Sequence, residues 1–219
     1  MYYQSPYRTT KRKPNIIKVS GKGKITVEPD IAEVRLGVST ENALLSVAQE
    51  ENARAISNIK KALMSAGIQD SDVQTIDYSI HPQYDYVEGK QIFRSYKVDH
   101  MLLITVREIA RAGTIVDTAV NNGANIVSSI TFETSDYDRL YRQALSLAVV
   151  DARRKAESIA ETLNVQLSKV PLLVTEITSD DIVPYQTKTF AVSEASTTFH
   201  PGMLEIISHI HAEFTYVLM

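Results

Sequence analysis

Cysteine is absent from the 219-residue chain, which removes disulfides, thiolate nucleophiles and Cys-ligated zinc or iron–sulfur sites together. Apolar runs long enough to span a bilayer are also missing. The N-terminus lacks the apolar segment that follows the basic region of a secretory signal, so the expectation from sequence is a cytoplasmic protein without a transmembrane segment. Acidic residues are missing from the first fifteen positions. These hold Arg8, Lys11, Arg12 and Lys13, a local charge of +4 that leaves −7 on the rest of a chain whose total is −3. Residues 1–15 therefore read as a disordered basic tail; a polyanion contact through it is the weaker alternative to simple solvation, and no specific nucleic-acid partner is expected. Two catalytic signatures are missing as well. Gly21-Lys22-Gly23-Lys24 lacks the spacing and the Ser or Thr after Lys that a phosphate loop needs to cradle phosphate and hold magnesium. No Gly-x-Ser-x-Gly elbow is present to support a hydrolase triad. No catalytic residue and no cofactor are expected.

What is present is an ordinary globular composition, 44% hydrophobic and 22% charged, with length for one large or two small cores. One pattern occurs twice. An alternating strand over 32–40 leads to a long helical segment that stops at Gly67-Ile68, and a strand then runs to Pro82 and Tyr84. Residues 126–134 lead to another long helical segment stopping at Asn164-Val165, and a strand follows toward Pro184 and Tyr185. Gly and Asn best tolerate the left-handed conformation that ends a helix, so Gly67 and Asn164 are expected at equivalent stops. The reading is one domain over 16–219 with an internal repeat of units about 16–107 and 108–219.

The fold class that follows is α+β, with two related strand-helix-strand-strand units and long helices packed on one face of a largely antiparallel sheet. Residues 16–28 read as a strand or a bent pair of strands, in which Gly21 and Gly23 mark a bulge or a close backbone approach. Ala32, Val34, Leu36 and Val38 share one face of the next strand. Residues 43–66 form an amphipathic helix with Leu44, Val47, Ala48, Ile59 and Leu63 among its apolar positions. Strands over 73–86 and 91–107 make a hairpin in which Gly89 takes the positive φ of a tight turn. A shorter helix over 109–121 closes at Asn122-Gly123. The second long helix starts near Tyr137 behind an Asp136 or Ser135 cap, with Leu140, Ala144, Leu147, Ala148, Ala152, Ala156, Ile159, Ala160 and Leu163 inward. A strand over 170–178 precedes a Ser-, Thr-, Asp- and Pro-rich loop, and the last strand, 204–218, has one apolar and one polar face.

That polar face carries the one metal-like constellation. His209, His211 and Glu213 alternate along a strand, where residues two apart lie about 7 Å from each other on one side. Two imidazoles and a carboxylate suit zinc or a similar ion, but three residues on one strand need a further ligand and supporting hydrogen bonds from elsewhere, with His81, His100 or His200 as sources. The alternative is a polar sheet face wetted by solvent or packed in an oligomer.

Several segments together resemble a known family. Val19-Ser20-Gly21-Lys22-Gly23 through Pro29-Asp30-Ile31-Ala32, the Gly67-Ile68 stop, the hairpin with Pro82 and Tyr84, Gly123-Ala124-Asn125, Asp151-Ala152-Arg153-Arg154-Lys155-Ala156 and Pro201-Gly202 occur in order. This ordered set resembles the SIMPL domain family, named for a signalling molecule associated with a pelle-like kinase, over roughly 16–219. The resemblance implies bacterial periplasmic and outer-membrane-associated relatives, an immunogenic member that assembles into rings, and a loose link to oxidative stress. It implies no catalytic residues.

The function expected is a non-catalytic, self-associating binding or scaffold protein of unknown partner, with a metal-binding protein using His209 and His211 as the alternative. Strands longer than five or six residues, helices on only one sheet face and a long loop favour a homo-oligomer larger than a dimer. Ile182, Val183, Tyr185, Phe190 and Val192 give that loop apolar groups suited to an interface.

Overall fold

The computed structural model describes residues 15–177, 199 and 201–218. The fold is α+β, with helices packed against antiparallel sheets, and the strands divide between two four-stranded sheets rather than one. The chain forms two compact units, one holding 15–26, 136–177 and 205–218, the other 27–135 with 199 and 201–204. The basic tail and the interface candidates Ile182, Val183, Tyr185, Phe190 and Val192 lie outside the described residues.

In the first unit, β1 (Ile16–Val27) and β8 (Leu204–Leu218) are neighbours, and β8 also pairs with β6 (Val165–Leu167) and β7 (Leu173–Ile177). The single strand expected over 170–178 is thus shorter, and Val170 is exposed outside it. Helix α3 (Tyr137–Thr162) covers one face through Ala148, Ala152, Ala156 and Ala160, which pack on Ile17, Val19, Ile210, Ala212 and Phe214. Alanine at these positions lets the helix approach closely, and Gly21 and Gly23 let it approach further. A Cβ on Gly21 would lie 2.9 Å from Ala152 Cβ, and one on Gly23 would lie 2.6 Å from the Ala148 nitrogen. Of the two roles expected for these glycines, β1 uses the close approach. Leu147, Ile159 and Leu163, expected inward, are exposed instead, because they fall outside the buried stripe of Leu140, Ala144, Ala148, Ala152, Ala156 and Ala160. Asp136 does occupy the N-cap of α3 but makes no side-chain cap bond; its carboxylate pairs with Arg139 at 2.6 Å.

The second unit orders its strands β3-β4-β2-β5, from β2 (Ile31–Asn42), β3 (Val73–Val87), β4 (Lys90–Val106) and β5 (Ile126–Glu133). Helices α1 (Leu45–Ser65) and α2 (Ala112–Asn121), the latter entered through a 3₁₀ turn at Ile109–Arg111, complete its core. Ala32, Val34, Leu36 and Val38 are buried there with Ile59, Leu63, Leu102, Ile104 and Ile115. Leu44, expected on the apolar stripe of α1, is exposed beyond its N-terminus. The turn of the β3–β4 hairpin uses Glu88 (φ 52°) and Gly89 (φ 78°), the two consecutive positive-φ residues of a type I′ hairpin.

Helix endings obey one rule in both units. After α1 the Ile68 amide donates to Leu63 O and the Gly67 amide to Met64 O, with Gly67 at φ 90°. Both bonds of a Schellman motif are therefore made. Asn164 ends α3 at φ 53° with its amide on Glu161 O. The guanidinium of Arg111 adds a cation at the C-terminus of α1 by donating to Ala66 O.

Candidate functional site

The segments that carried the family resemblance hold the backbone together. Asp151 Oδ2 accepts the Lys22 amide at 2.9 Å, and Lys155 Nζ donates to Ser20 O at 3.0 Å while pairing with Asp151 at 2.7 Å. One helical turn separates these two side chains, so both reach the free edge of β1. Lys155, and then the Lys22 amide, hold the Asp151 carboxyl below its ordinary range. Asp30 accepts the Ser135 amide at 2.7 Å and its hydroxyl at 2.5 Å, which joins the start of β2 to the end of β5 and lowers the Asp30 pKa in turn. Asn125 accepts the Ser39 amide at 2.7 Å and donates to Ser39 O at 2.8 Å, so a side-chain amide continues the ladder where α2 enters β5.

The outer face of β8 presents His209, His211 and Glu213 in the expected alternation, opposite Ile177, Thr175 and Leu173 of β7. Glu213 is already engaged, 2.6 Å from Lys18 Nζ, and Glu205 on the same face pairs with Lys24. Among the described residues no group of three or more His, Asp or Glu side chains is drawn together as metal ligands would be. His81 and His100 belong to the sheet of the second unit, and His200 lies outside the described residues.

One concave feature of the second unit is an open cleft of about 430 Å³ between α1 and the strands β3 and β4. Its geometry follows from two periods. Positions 49, 53, 57, 60 and 64 form a helical stripe beside the buried stripe of Ala48, Asn52, Ile56, Ile59 and Leu63. Tyr78 and His100 are register partners across β3 and β4, so both point to the helix side of the sheet. Their rings meet edge to face with centroids 5.3 Å apart, and Gln49 donates to the Tyr78 hydroxyl at 3.3 Å.

His100 Nε2 lies 3.0 Å from Thr75 Oγ1. Burial, and then the charge of Lys60, push the His100 pKa below its ordinary 6.5, so the ring is held neutral near neutral pH. Asn52 is only 1% exposed, and its Nδ2 donates to Val38 O and Val98 O at 3.1 Å each, which ties α1 to both central strands. Sequence reading missed Asn52, because a polar residue inside an apolar stripe looks like a break in the pattern. It missed Tyr78 and His100 as a pair because register is not visible in a single strand.

A second surface lies at the far end of the same sheet. Pairing of β2 with β4 ends at Tyr96, so 82–95 form a two-stranded arm whose backbone ladder, among the described residues, is made within the arm itself. Along it Phe93 meets Tyr84 edge to face and Tyr96 at a tilt, with centroids 6.0 and 4.9 Å apart. Tyr84, Tyr86 (74% exposed), Val87, Ile92 and Phe93 all face solvent. Arg94 braces the arm by pairing with Asp85 at 3.2 Å and Glu41 at 3.0 Å.

Comparison of the sequence with known proteins finds relatives of varied naming. The chain is 31% identical over 162 residues to the 26 kDa periplasmic immunogenic protein of Brucella melitensis, covering 72% of this chain and 65% of that one. It is 23% identical over 157 residues to the uncharacterized protein YggE of Escherichia coli K12, covering 72% and 63%. It is 25% identical over 165 residues to human Interleukin-1 receptor-associated kinase 1-binding protein 1, covering 73% and 59%. The chain spans a little under two thirds of the length of these curated relatives. Residues 17–214 match the family described as SIMPL, protein of unknown function (DUF541), and the chain belongs to that family.

Proposed function

We propose that this chain is a non-catalytic binding protein that self-associates into a homo-oligomer larger than a dimer. The observation that carries the reading is the β3–β4 arm. A two-stranded hairpin is marginal in water by itself, yet this one presents five large apolar residues to solvent. Tyr84, Tyr86 and Phe93 share one face of the arm and Val87 and Ile92 the other, and exposed apolar groups of this size suit a protein contact better than bulk water. Interleukin-1 receptor-associated kinase 1-binding protein 1 is named for binding a protein, and the ring-forming member implied by the family resemblance favours assembly. The loop residues Ile182, Val183, Tyr185, Phe190 and Val192 are the second proposed contact.

Sedimentation velocity tests this. The intact chain is expected at several times 24.4 kDa. Tyr86→Lys with Phe93→Lys should shift it toward smaller species without changing its circular dichroism, and deletion of 182–198 should do the same if the loop contributes. A wild-type chain sedimenting as a monomer at micromolar concentration contradicts the reading.

The cytoplasmic expectation is likewise a proposal. The periplasmic naming of the Brucella relative stands against it, and fractionation of the source cells decides.

A further inference from the structure

The cleft between α1, β3 and β4 has a chemistry of its own. Of the residues that line it, the two that carry charge are Lys60 and Lys61, with no carboxylate among the rest, in a chain whose total charge is −3. Neither lysine has an ion-pair partner among the described residues. The other walls are mainly apolar: Met64 is exposed at one end, Ile56 and Ala53 lie along the helix, and the rings of Tyr78 and His100 form the opposite side. His100 turns Nε2 to Thr75, which leaves Nδ1 as the second hydrogen-bonding atom of its ring.

Asn52 lies behind this surface with Oδ1 buried and without a hydrogen-bond partner among the described residues. Apolar walls with a few convergent polar groups are the general form of a small-molecule site, and the volume falls in the ordinary range for one.

We propose that this cleft binds a small amphipathic carboxylate, with the carboxylate between the ammonium groups of Lys60 and Lys61 and the apolar body against Ile56, Met64 and the Tyr78 and His100 rings. Lysine suits this role because its ammonium acts as a mobile point charge on a flexible stem, so a pair one position apart can converge on one anion. A neutral His100 adds hydrogen-bonding capacity without a third cation, and its ring remains an apolar wall for the ligand body. This site is independent of self-association, because the cleft lies within one unit and the arm lies beyond Tyr96.

Titration of the isotope-labelled full chain by NMR tests the proposal, with decanoate, decanol and decyltrimethylammonium as probes of equal tail length. Decanoate is expected to produce saturable shifts centred on Lys60, Tyr78 and the His100 ring, with decanol and decyltrimethylammonium roughly tenfold weaker, the scale of one charge-assisted hydrogen bond. Lys60→Gln with Lys61→Gln should weaken decanoate by about the same factor while leaving decanol unchanged. Ser57→Trp, at an exposed helix position on the cleft wall, should block all three without lowering the thermal midpoint. Equal binding of the three probes, shifts centred on the β3–β4 arm, or no saturable shift with decanoate would each overturn it.

Discussion

The carboxylate of Asp151 accepts the backbone N–H of Lys22 at 2.9 Å, so a helix side chain occupies a hydrogen-bonding position that the edge strand β1 would otherwise offer to another chain. Lys155 does the same for the neighbouring carbonyl of Ser20. Exposed edges are templates for unwanted pairing. Together with the ion pair between them, the two side chains close this edge at little cost in area.

Removing that closure should therefore have two readouts. Asp151→Ala with Lys155→Ala is expected to lose about 1 kcal/mol in urea unfolding, since the hydrogen bonds are partly exposed. It should also scatter light increasingly with concentration, as the freed edge pairs between molecules. Because the Asp151 pKa is depressed in the fold, its stabilisation is present above the ordinary carboxylate pKa of 3.8 and is lost as pH falls through the lower folded value. Wild type and Asp151→Ala should thus draw together in stability in strong acid; a gap between them that is unchanged there would place the effect elsewhere.

Gly23 tests the close packing of α3 on β1. Gly23→Ala adds a Cβ inside the helix backbone, and overpacking of this kind costs roughly 1–3 kcal/mol. Gly89→Ala is the comparison for backbone strain without a clash, because a Cβ there meets nothing within 4 Å while a φ of 78° disfavours an L side chain. Chemical denaturation should find Gly23→Ala clearly the more destabilised of the two.

Much of this was readable in order of residues. The alternation of Ala32, Val34, Leu36 and Val38 identified the buried face of β2, and Gly67, Gly123 and Asn164 marked helix ends by their tolerance of positive φ. The bounds of β8 were read to the residue, because a period of two runs through fifteen positions, interrupted at Ile207, Ser208 and Val217. What failed did so for physical reasons. Leu147, Ile159 and Leu163 look like core by hydrophobicity, but α3 lies so close to its sheet that alanines from Ala144 to Ala160 line the contact and these three fall outside it. The cleft was illegible because it depends on the register that sets Tyr78 opposite His100, fixed in part by a bulge between Thr75 and Asp77 that no local pattern announces. The repeat of units about 16–107 and 108–219 stays a proposal; it predicts that an experimental structure will superpose β2-α1-β3 on β5-α3-β7.

His100 should titrate below 6.5, because burial and Lys60 both oppose its protonation. Its neutral form stabilises the fold above that value relative to the protonated one, and this contribution is lost as pH falls from 6.5 through the folded pKa. NMR of the imidazole carbons reports the pKa directly. Lys60→Gln should raise it toward 6.5 without restoring it fully, since burial is the larger cause. A His100 pKa above 6.5 would show that the ring gains a partner for its charge.

The metal alternative has a clear outcome. His209→Ala with His211→Ala is expected to leave the thermal midpoint within about 0.5 kcal/mol equivalent, as for surface positions away from structural networks. Elemental analysis of untagged protein is expected to find no stoichiometric transition metal. One ion per chain, lost in the double variant, would install the metal reading in place of the present one.

The most direct test of the binding-protein account is native mass spectrometry of the untagged full chain at micromolar concentration, because one spectrum reports assembly and bound metal together. The account predicts a closed complex several times the 24.4 kDa chain mass, with subunits that carry no metal adduct. A single species at 24.4 kDa, or a mass increment of one metal ion per subunit, would contradict it.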